Sequence, residues 1–239
     1  MNLIVDLGNT SLKWALFDGK NLIFKGNFDY TDFNVIINHW TQFKFERIAV
    51  ATVIDLPPTL KSFFDSFESF HYVSTNSKLP IKVGYQTPNT LGYDRLANAV
   101  AAIELFQNKD LLVIDCGTCL KVDFVSRTDG FLGGAISPGL KMRYKSLHQY
   151  TSKLPLLDPA VLRGLYGKTT EESLHNGVVN GMSFEIAGAT EKYVQSYPDL
   201  KVIITGGDID YFREVIEKKA IFAEPNLTLI GINLILLYN

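Results

Sequence analysis

Residues 4–17 read IVDLGNTSLKWALF, and residues 111–125 read LLVIDCGTCLKVDFV. Each is an apolar strand that ends in an aspartate, Asp6 or Asp115, passes through a turn of small residues and continues as a second apolar strand. The two stretches correspond residue by residue. Thr10-Ser11-Leu12-Lys13 is answered by Thr118-Cys119-Leu120-Lys121, and Trp14-Ala15-Leu16-Phe17 by Val122-Asp123-Phe124-Val125. The second turn is one residue shorter. Two unrelated Asp-Gly turns are the alternative, but the length of the match favours an internal repeat. Self-similarity half a chain apart predicts two α/β halves, residues 1–110 and 111–239.

Working outward, Asp18-Gly19-Lys20-Asn21 is turn chemistry before Leu22-Ile23-Phe24, so the chain opens as a hairpin. Helical spacing is read over 32–44 and 57–69, with a short buried strand from Arg47 to Val53 between them. A helix is expected from Leu91 to Leu105, and another from about Leu140. Residues 152–169 are punctuated by Pro and Gly and read as loop. Glu171 to Val194 reads as helix, with Gly177, Gly181 and Gly188 allowing close packing. Val202 to Asp208 is a strand and a glycine loop, followed by a helix to about Lys219. A short strand and an apolar helix near Gly231 to Leu237 close the sequence.

The 239 residues suit one large or two small domains, and 46% apolar residues supply a substantial core. Lys plus Arg (23) nearly balance Asp plus Glu (25), with no basic run, so nucleic acid is not expected as a partner. No apolar stretch reaches the roughly 18 residues of a membrane span. The N-terminus lacks signal-peptide features, and two cysteines fit a reducing cytoplasm. Those cysteines, Cys116 and Cys119, form a C-x-x-C, compatible with redox chemistry or half a zinc site. Zinc needs a second ligand pair, and the histidines at 39, 71, 148 and 175 are isolated. Otherwise the two cysteines are small residues in a tight loop.

Three strand ends carry small residues: Gly8-Asn9-Thr10, Gly117-Thr118-Cys119 and Gly206-Gly207-Asp208. Backbone N–H groups in such turns cradle anions, and glycine lets a phosphate come close. Asp6 and Asp115 would repel phosphate, so a cation is required. Mg²⁺ bridges carboxylates to nucleotide phosphates. Other nucleotide and hydrolase motifs fit poorly. No G-x-G-x-x-G follows the first strand, and no G-x-S-x-G occurs. Gly167-Lys168-Thr169-Thr170 resembles the tail of a P-loop, but its first glycine would fall on Leu162. The segment from Tyr85 to Arg95, YQTPNTLGYDR, runs into a helix. Asp94-Arg95 reads either as a capping Asp with a surface Arg or, beside a phosphate cleft, as a general base with an anion-binding cation.

Taken in order, D-x-G-N-T at 6–10, Y-x₂-P-x₂-L-G-x-D-R at 85–95, D-x-G-T at 115–118, G-G-x-I-x-P-G at 133–139 and T-G-G-D at 205–208 resemble type III pantothenate kinase. Each motif is weak alone; the ordered set, spanning nearly the whole chain, is specific. The resemblance implies duplicated ribonuclease-H-like halves of the actin, Hsp70 and sugar-kinase superfamily, each a mixed sheet flanked by helices, with the active site in the cleft between them. It implies ATP-dependent phosphorylation of pantothenate to 4′-phosphopantothenate, the first step of coenzyme A biosynthesis. A regulatory or binding module of the same fold without kinase activity is the alternative. By the same resemblance, the turn Asp6, Leu7, Gly8, Asn9, Thr10, Ser11, Leu12 and Lys13 binds ATP phosphates, with Asp6 near Mg²⁺, and Thr118 is a further ATP contact. Asp115 matches the position of a monovalent cation, K⁺ or NH₄⁺. Tyr85, Gly92, Tyr93, Asp94 and Arg95 match the pantothenate pocket, with Asp94 as proton acceptor. Thr170 matches a pantothenate contact that the other subunit of a homodimer supplies.

Overall fold

The computed structural model describes every residue except 31, 75, 162, 163 and 220. The strands are β1 (Asn2–Leu7), β2 (Ser11–Asp18), β3 (Asn21–Asp29), β4 (Arg47–Thr52), β5 (Phe70–Tyr72), β6 (Leu111–Cys116), β7 (Cys119–Ser126), β8 (Gly130–Pro138), β9 (Lys201–Thr205) and β10 (Phe222–Ala223). The helices are α1 (Phe33–Trp40), α2 (Pro58–Asp65), α3 (Tyr93–Leu105), α4 (Leu140–Gln149), α5 (Thr170–His175), α6 (Gly181–Ser196), α7 (Arg213–Lys218) and α8 (Leu227–Tyr238).

They form two five-stranded sheets of one design, ordered β3-β2-β1-β4-β5 and β8-β7-β6-β9-β10. In the first, β1 pairs antiparallel with β2 and parallel with β4. In the second, β6 pairs antiparallel with β7 and parallel with β9. The repeat read in the sequence is therefore a repeat of topology. Strand periodicity explains the two faces. Leu3, Val5 and Leu7 of β1 join Leu12, Trp14 and Leu16 of β2 in a core with Ile36, Trp40, Leu60 and Phe64 of α1 and α2. The opposite face carries Asn2, Ile4 and Asp6, with α8 and α3 packed over the sheet. In the second sheet, Leu112, Ile114 and Cys116 share a core with Leu140, Tyr144, Met182, Ile186 and Phe212. Leu111, Val113 and Asp115 take the other face.

The chain divides into two compact units, one of Met1–Leu105, Asp129–Phe131 and Asn226–Asn239, the other of Phe106–Thr128 and Leu132–Pro225. These differ from the halves expected at 1–110 and 111–239 in one main respect: α8 belongs to the first unit. The cause is specific packing. Asn233 on α8 accepts a hydrogen bond from Asn2 (2.9 Å) and donates one to the Gly19 carbonyl (2.9 Å). Arg47 donates to the Leu236 carbonyl at 2.8 Å. Gly231 lies so close to α3 that a Cβ there would sit 1.8 Å from the Ala97 carbonyl oxygen.

The expected helices over 32–44 and 57–69 are shorter, ending at Trp40 and Asp65. The expected helix over 171–194 is α5 and α6 joined through a π turn at Asn176–Asn180. The described residues of 152–169 lie outside helices and strands, and Leu162 lies outside the described residues. Strands β5 and β8 have no strong sequence signal: one has three residues, the other is GFLGGAISP without alternation. No helix among the described residues is long and apolar enough to cross a membrane.

Replacing Gly231 by Ala should lower stability by about 3 kcal/mol, because the obstructing atom is α3 backbone, which cannot rotate away. Urea unfolding of the variant against the parent measures this.

Candidate active site

Three groups of expected site residues assemble, two in the first unit and one in the second. In the first unit, β1 delivers Asp6 half-buried at its end. The turn after it is closed by the Gly8 N–H donating to the Ser11 carbonyl at 3.1 Å, which leaves Asn9 and Thr10 exposed. Tyr30, at the end of the hairpin, donates its hydroxyl hydrogen to the Gly8 carbonyl. Burial, and secondarily the Asp6 charge, push the Tyr30 phenol up to about 12, so it stays a donor and holds the turn. Asp6 and Lys13 stand opposite each other in the β1–β2 register.

The same unit builds a second cluster around the start of α3. Residues 82–84 pair with Phe131: its N–H donates to the Lys82 carbonyl (3.0 Å), and its carbonyl accepts from Gly84 (2.9 Å). That crossing brings Phe131 to the ring of Tyr85, 5.8 Å between centroids and edge-on. The Arg95 guanidinium lies 5.6 Å from the Tyr85 ring and 5.4 Å from the Phe131 ring, and Arg95 is only 5% exposed. A buried cation packed against two aromatic rings that meet edge to face is fixed in place and partly stripped of water. Asp94, in the first turn of α3, accepts from the Arg95 backbone N–H at 2.8 Å. Gly92 makes room for it, because a Cβ there would sit 2.6 Å from Asp94 Oδ1. Asp94 thus presents a carboxylate in the first turn of a helix, where backbone N–H groups favour negative charge. Phe131 is a participant that sequence reading missed. Its only signal is an apolar residue placed two before the Gly133-Gly134 pair.

In the second unit, three of the motifs gather on one turn. Gly117 N–H donates to the Cys119 carbonyl (3.2 Å), mirroring the first turn. Gly139 N–H donates to the Thr118 carbonyl (3.2 Å), and a Cβ on Gly139 would lie 2.3 Å from the Gly117 carbonyl oxygen. Gly206, at φ +106°, packs on Cys116, whose carbonyl accepts from Asp208 N–H at 3.0 Å. Thr118 is left exposed. Asp115 is 7% exposed and bonds the Lys121 ammonium, 2.7 Å from Oδ2. Ser137, beside this turn, donates to Glu185, which also pairs with Arg143. Neither Glu185 nor Arg143 carried a sequence signal.

Thr170 begins α5 and is exposed. The preceding Thr169 accepts from Glu172 N–H at 3.1 Å, and Glu172 accepts from Lys168 N–H at 2.6 Å. The Lys-Thr-Thr run is therefore the capped start of α5, with Thr169 as N-cap and Glu172 reaching back to the preceding Lys168 N–H. Both cysteines are free thiols. Cys116 is fully buried, and burial, then the Asp115 charge, raise its thiol well above the usual range. Only Cys119 is partly open to solvent. Among the described residues no group of three or more His, Cys, Asp or Glu could hold a metal by itself.

A family model described as type III pantothenate kinase matches residues 2–192. The chain is 39% identical to a type III pantothenate kinase of Christiangramia forsetii, over all of this chain and 99% of that one. It is 40% identical to a Bacteroides fragilis protein of the same name, over all of this chain and 98% of that one. Among solved structures it resembles a glucokinase from an Antarctic psychrotroph, with a TM-score of 0.54, 15% identity, and coverage of 100% and 99%. It also resembles a ROK family glucokinase from Streptomyces griseus, with a TM-score of 0.55, 10% identity and 97% of both chains covered. At these identities the solved structures bear on the fold, which is that of the sugar kinases.

A maleimide should label the folded protein at Cys119 and spare Cys116, since a buried thiol with a raised pKa supplies almost no thiolate. Mass spectrometry before and after denaturation checks this: one adduct folded, two unfolded.

Proposed function

The chain belongs to the type III pantothenate kinase family, and on that premise we propose that it transfers the γ-phosphoryl group of ATP to the 4′-hydroxyl of pantothenate. This is the first step of coenzyme A biosynthesis, and we set it in the cytoplasm. What supports the assignment of roles is the Asp94–Arg95 pair at the start of α3: a carboxylate that accepts from the Arg95 backbone N–H, followed by a buried guanidinium packed against Tyr85 and Phe131. A fixed guanidinium suits the carboxylate end of pantothenate. The neighbouring Asp94 suits its alcohol.

In this mechanism the pantothenate hydroxyl attacks the γ-phosphorus, the bond to the β,γ-bridging oxygen breaks, and Asp94 receives the hydroxyl proton. Tyr85, Gly92 and Tyr93 shape the pocket around it. Residues Gly8 to Lys13 and Thr118 offer N–H, hydroxyl and ammonium groups to the charge on the phosphoryl oxygens. Asp6 is the carboxylate that would hold Mg²⁺. One protein carboxylate fits that ion, which takes its other ligands from phosphates and water and would neutralise phosphate charge. The monovalent cation, K⁺ or NH₄⁺, that the resemblance brings to Asp115 meets a competitor in this chain, the Lys121 ammonium on the same carboxylate. Thr170, exposed at the start of α5, contacts pantothenate across a homodimer.

The direct test is incubation with ATP, Mg²⁺ and pantothenate. The expected products are ADP and 4′-phosphopantothenate, identified by mass, with ADP release dependent on pantothenate. ADP release indifferent to pantothenate would point to a nucleotide switch instead. Asp94→Asn should retain the fold and lower kcat by roughly a hundredfold or more; turnover near normal would remove Asp94 from the mechanism. The shared site is tested by refolding inactive Asp94→Asn and Thr170→Ala chains together. Random pairing gives mixed dimers with one intact site, so activity should return to about a quarter of the parent's. No recovery with mixed dimers present would mean that Thr170 serves its own chain.

A further inference from the structure

We propose that Lys121 is this chain's own monovalent cation: its ammonium takes the place at Asp115 that K⁺ or NH₄⁺ would fill, and phosphoryl transfer proceeds without either. This rests on the kinase reading above. A carboxylate as buried as Asp115, 7% exposed, requires a positive partner. The partner in the structure is part of the chain. Lys121 Nζ lies 2.7 Å from Asp115 Oδ2, with side chains 13% and 11% exposed.

The pairing follows from the sheet itself. In the antiparallel β6–β7 ladder Asp115 and Lys121 are directly opposite, so both side chains rise from the same face. The ammonium therefore reaches the carboxylate without any loop having to close. Its chemistry is that of NH₄⁺, the same tetrahedral N–H donor with one position replaced by carbon. A tethered ion also competes against a free one at a high effective concentration. A second cation on Asp115 would stand within a few ångströms of the first and be repelled by it. The same rung of the first sheet, Asp6 opposite Lys13, places a lysine across from the strand-end aspartate there too. Lysine at this rung thus belongs to both copies of the repeat. Lys121 acts here as a positioning residue, holding the charge of Asp115 and with it the Gly117–Thr118 turn.

The experiment compares pantothenate phosphorylation by the whole chain in Na⁺, K⁺ and NH₄⁺ at equal ionic strength, alongside thermal melting in the same salts with MgADP. The unmodified chain should work at rates within about twofold in all three and melt alike, since its cation is covalently attached. Lys121→Met, which keeps the stem and removes the charge, should lose about tenfold or more in Na⁺. It should recover in K⁺ or NH₄⁺ and gain melting temperature in those salts alone, as a newly bound ion requires. A merely structural ion pair would lose activity equally in every salt. Activation of the unmodified chain by K⁺ of about tenfold, or a K⁺-specific rise in its melting temperature, overturns the proposal and needs no variant. So does a Lys121→Met chain indifferent to the cation. If pantothenate is not phosphorylated in any salt, the kinase reading falls, and the melting comparison still decides the fate of the tethered cation.

Discussion

The central strand of each sheet carries an aspartate as its second-to-last residue, and much of the structure follows from accommodating that carboxylate. β1 and β6 are each flanked by an antiparallel and a parallel neighbour, so both edges are hydrogen-bonded and the strand is buried along its length. Asp6 and Asp115 each stand directly opposite a lysine on the antiparallel neighbour. The tight turn beyond is closed by a glycine N–H, Gly8 to the Ser11 carbonyl and Gly117 to the Cys119 carbonyl, and further glycines pack against the second turn. Gly139 and Gly206 are glycine because the turn at Gly117 presses its carbonyl groups against them. A glycine loop of this kind is a packing solution as well as an anion cradle.

Much of this was legible in the sequence because it depends on neighbours along the chain. The strand–Asp–turn–strand unit is local, its two copies could be aligned, and the topology repeats as they do. Helix α3 follows from apolar spacing, and Asp94 at its start from an N-terminal carboxylate. What stayed hidden depends on distant contacts. Phe131 joins the Tyr85–Arg95 cluster through a single parallel bridge between Val83 and Phe131. Nothing in either segment names the other. Glu185 and Arg143 meet from separate helices, and their charges read as ordinary solvated residues. β8 is held by pairing with β7 although its glycines lower its own strand propensity.

The Asp115–Lys121 pair shows a different limit. The sequence aligns Lys121 with Lys13 and so marks it as part of the repeat, but cannot tell whether it points at its aspartate or away. Strand register answers that, because residues in register share a face. A family motif that stops at D-x-G-T leaves out the residue that in this chain completes the electrostatics of the motif. The functional unit here is the pair of strands, and its charge balance is read across the ladder.

The return of α8 to the first unit has a consequence for how the molecule comes into being. A ribosome releases the N-terminal residues first, and domains commonly fold in that order. Here Asn2, Gly19, Arg47 and Ala97 all wait for contacts from residues after Asn226. The second unit, made of Phe106–Thr128 and Leu132–Pro225, is fully synthesised before α8 can cover the second face of the first sheet. Until then that face of the earlier-made sheet lacks its α8 cover, and it is what a chaperone would meet on the nascent chain.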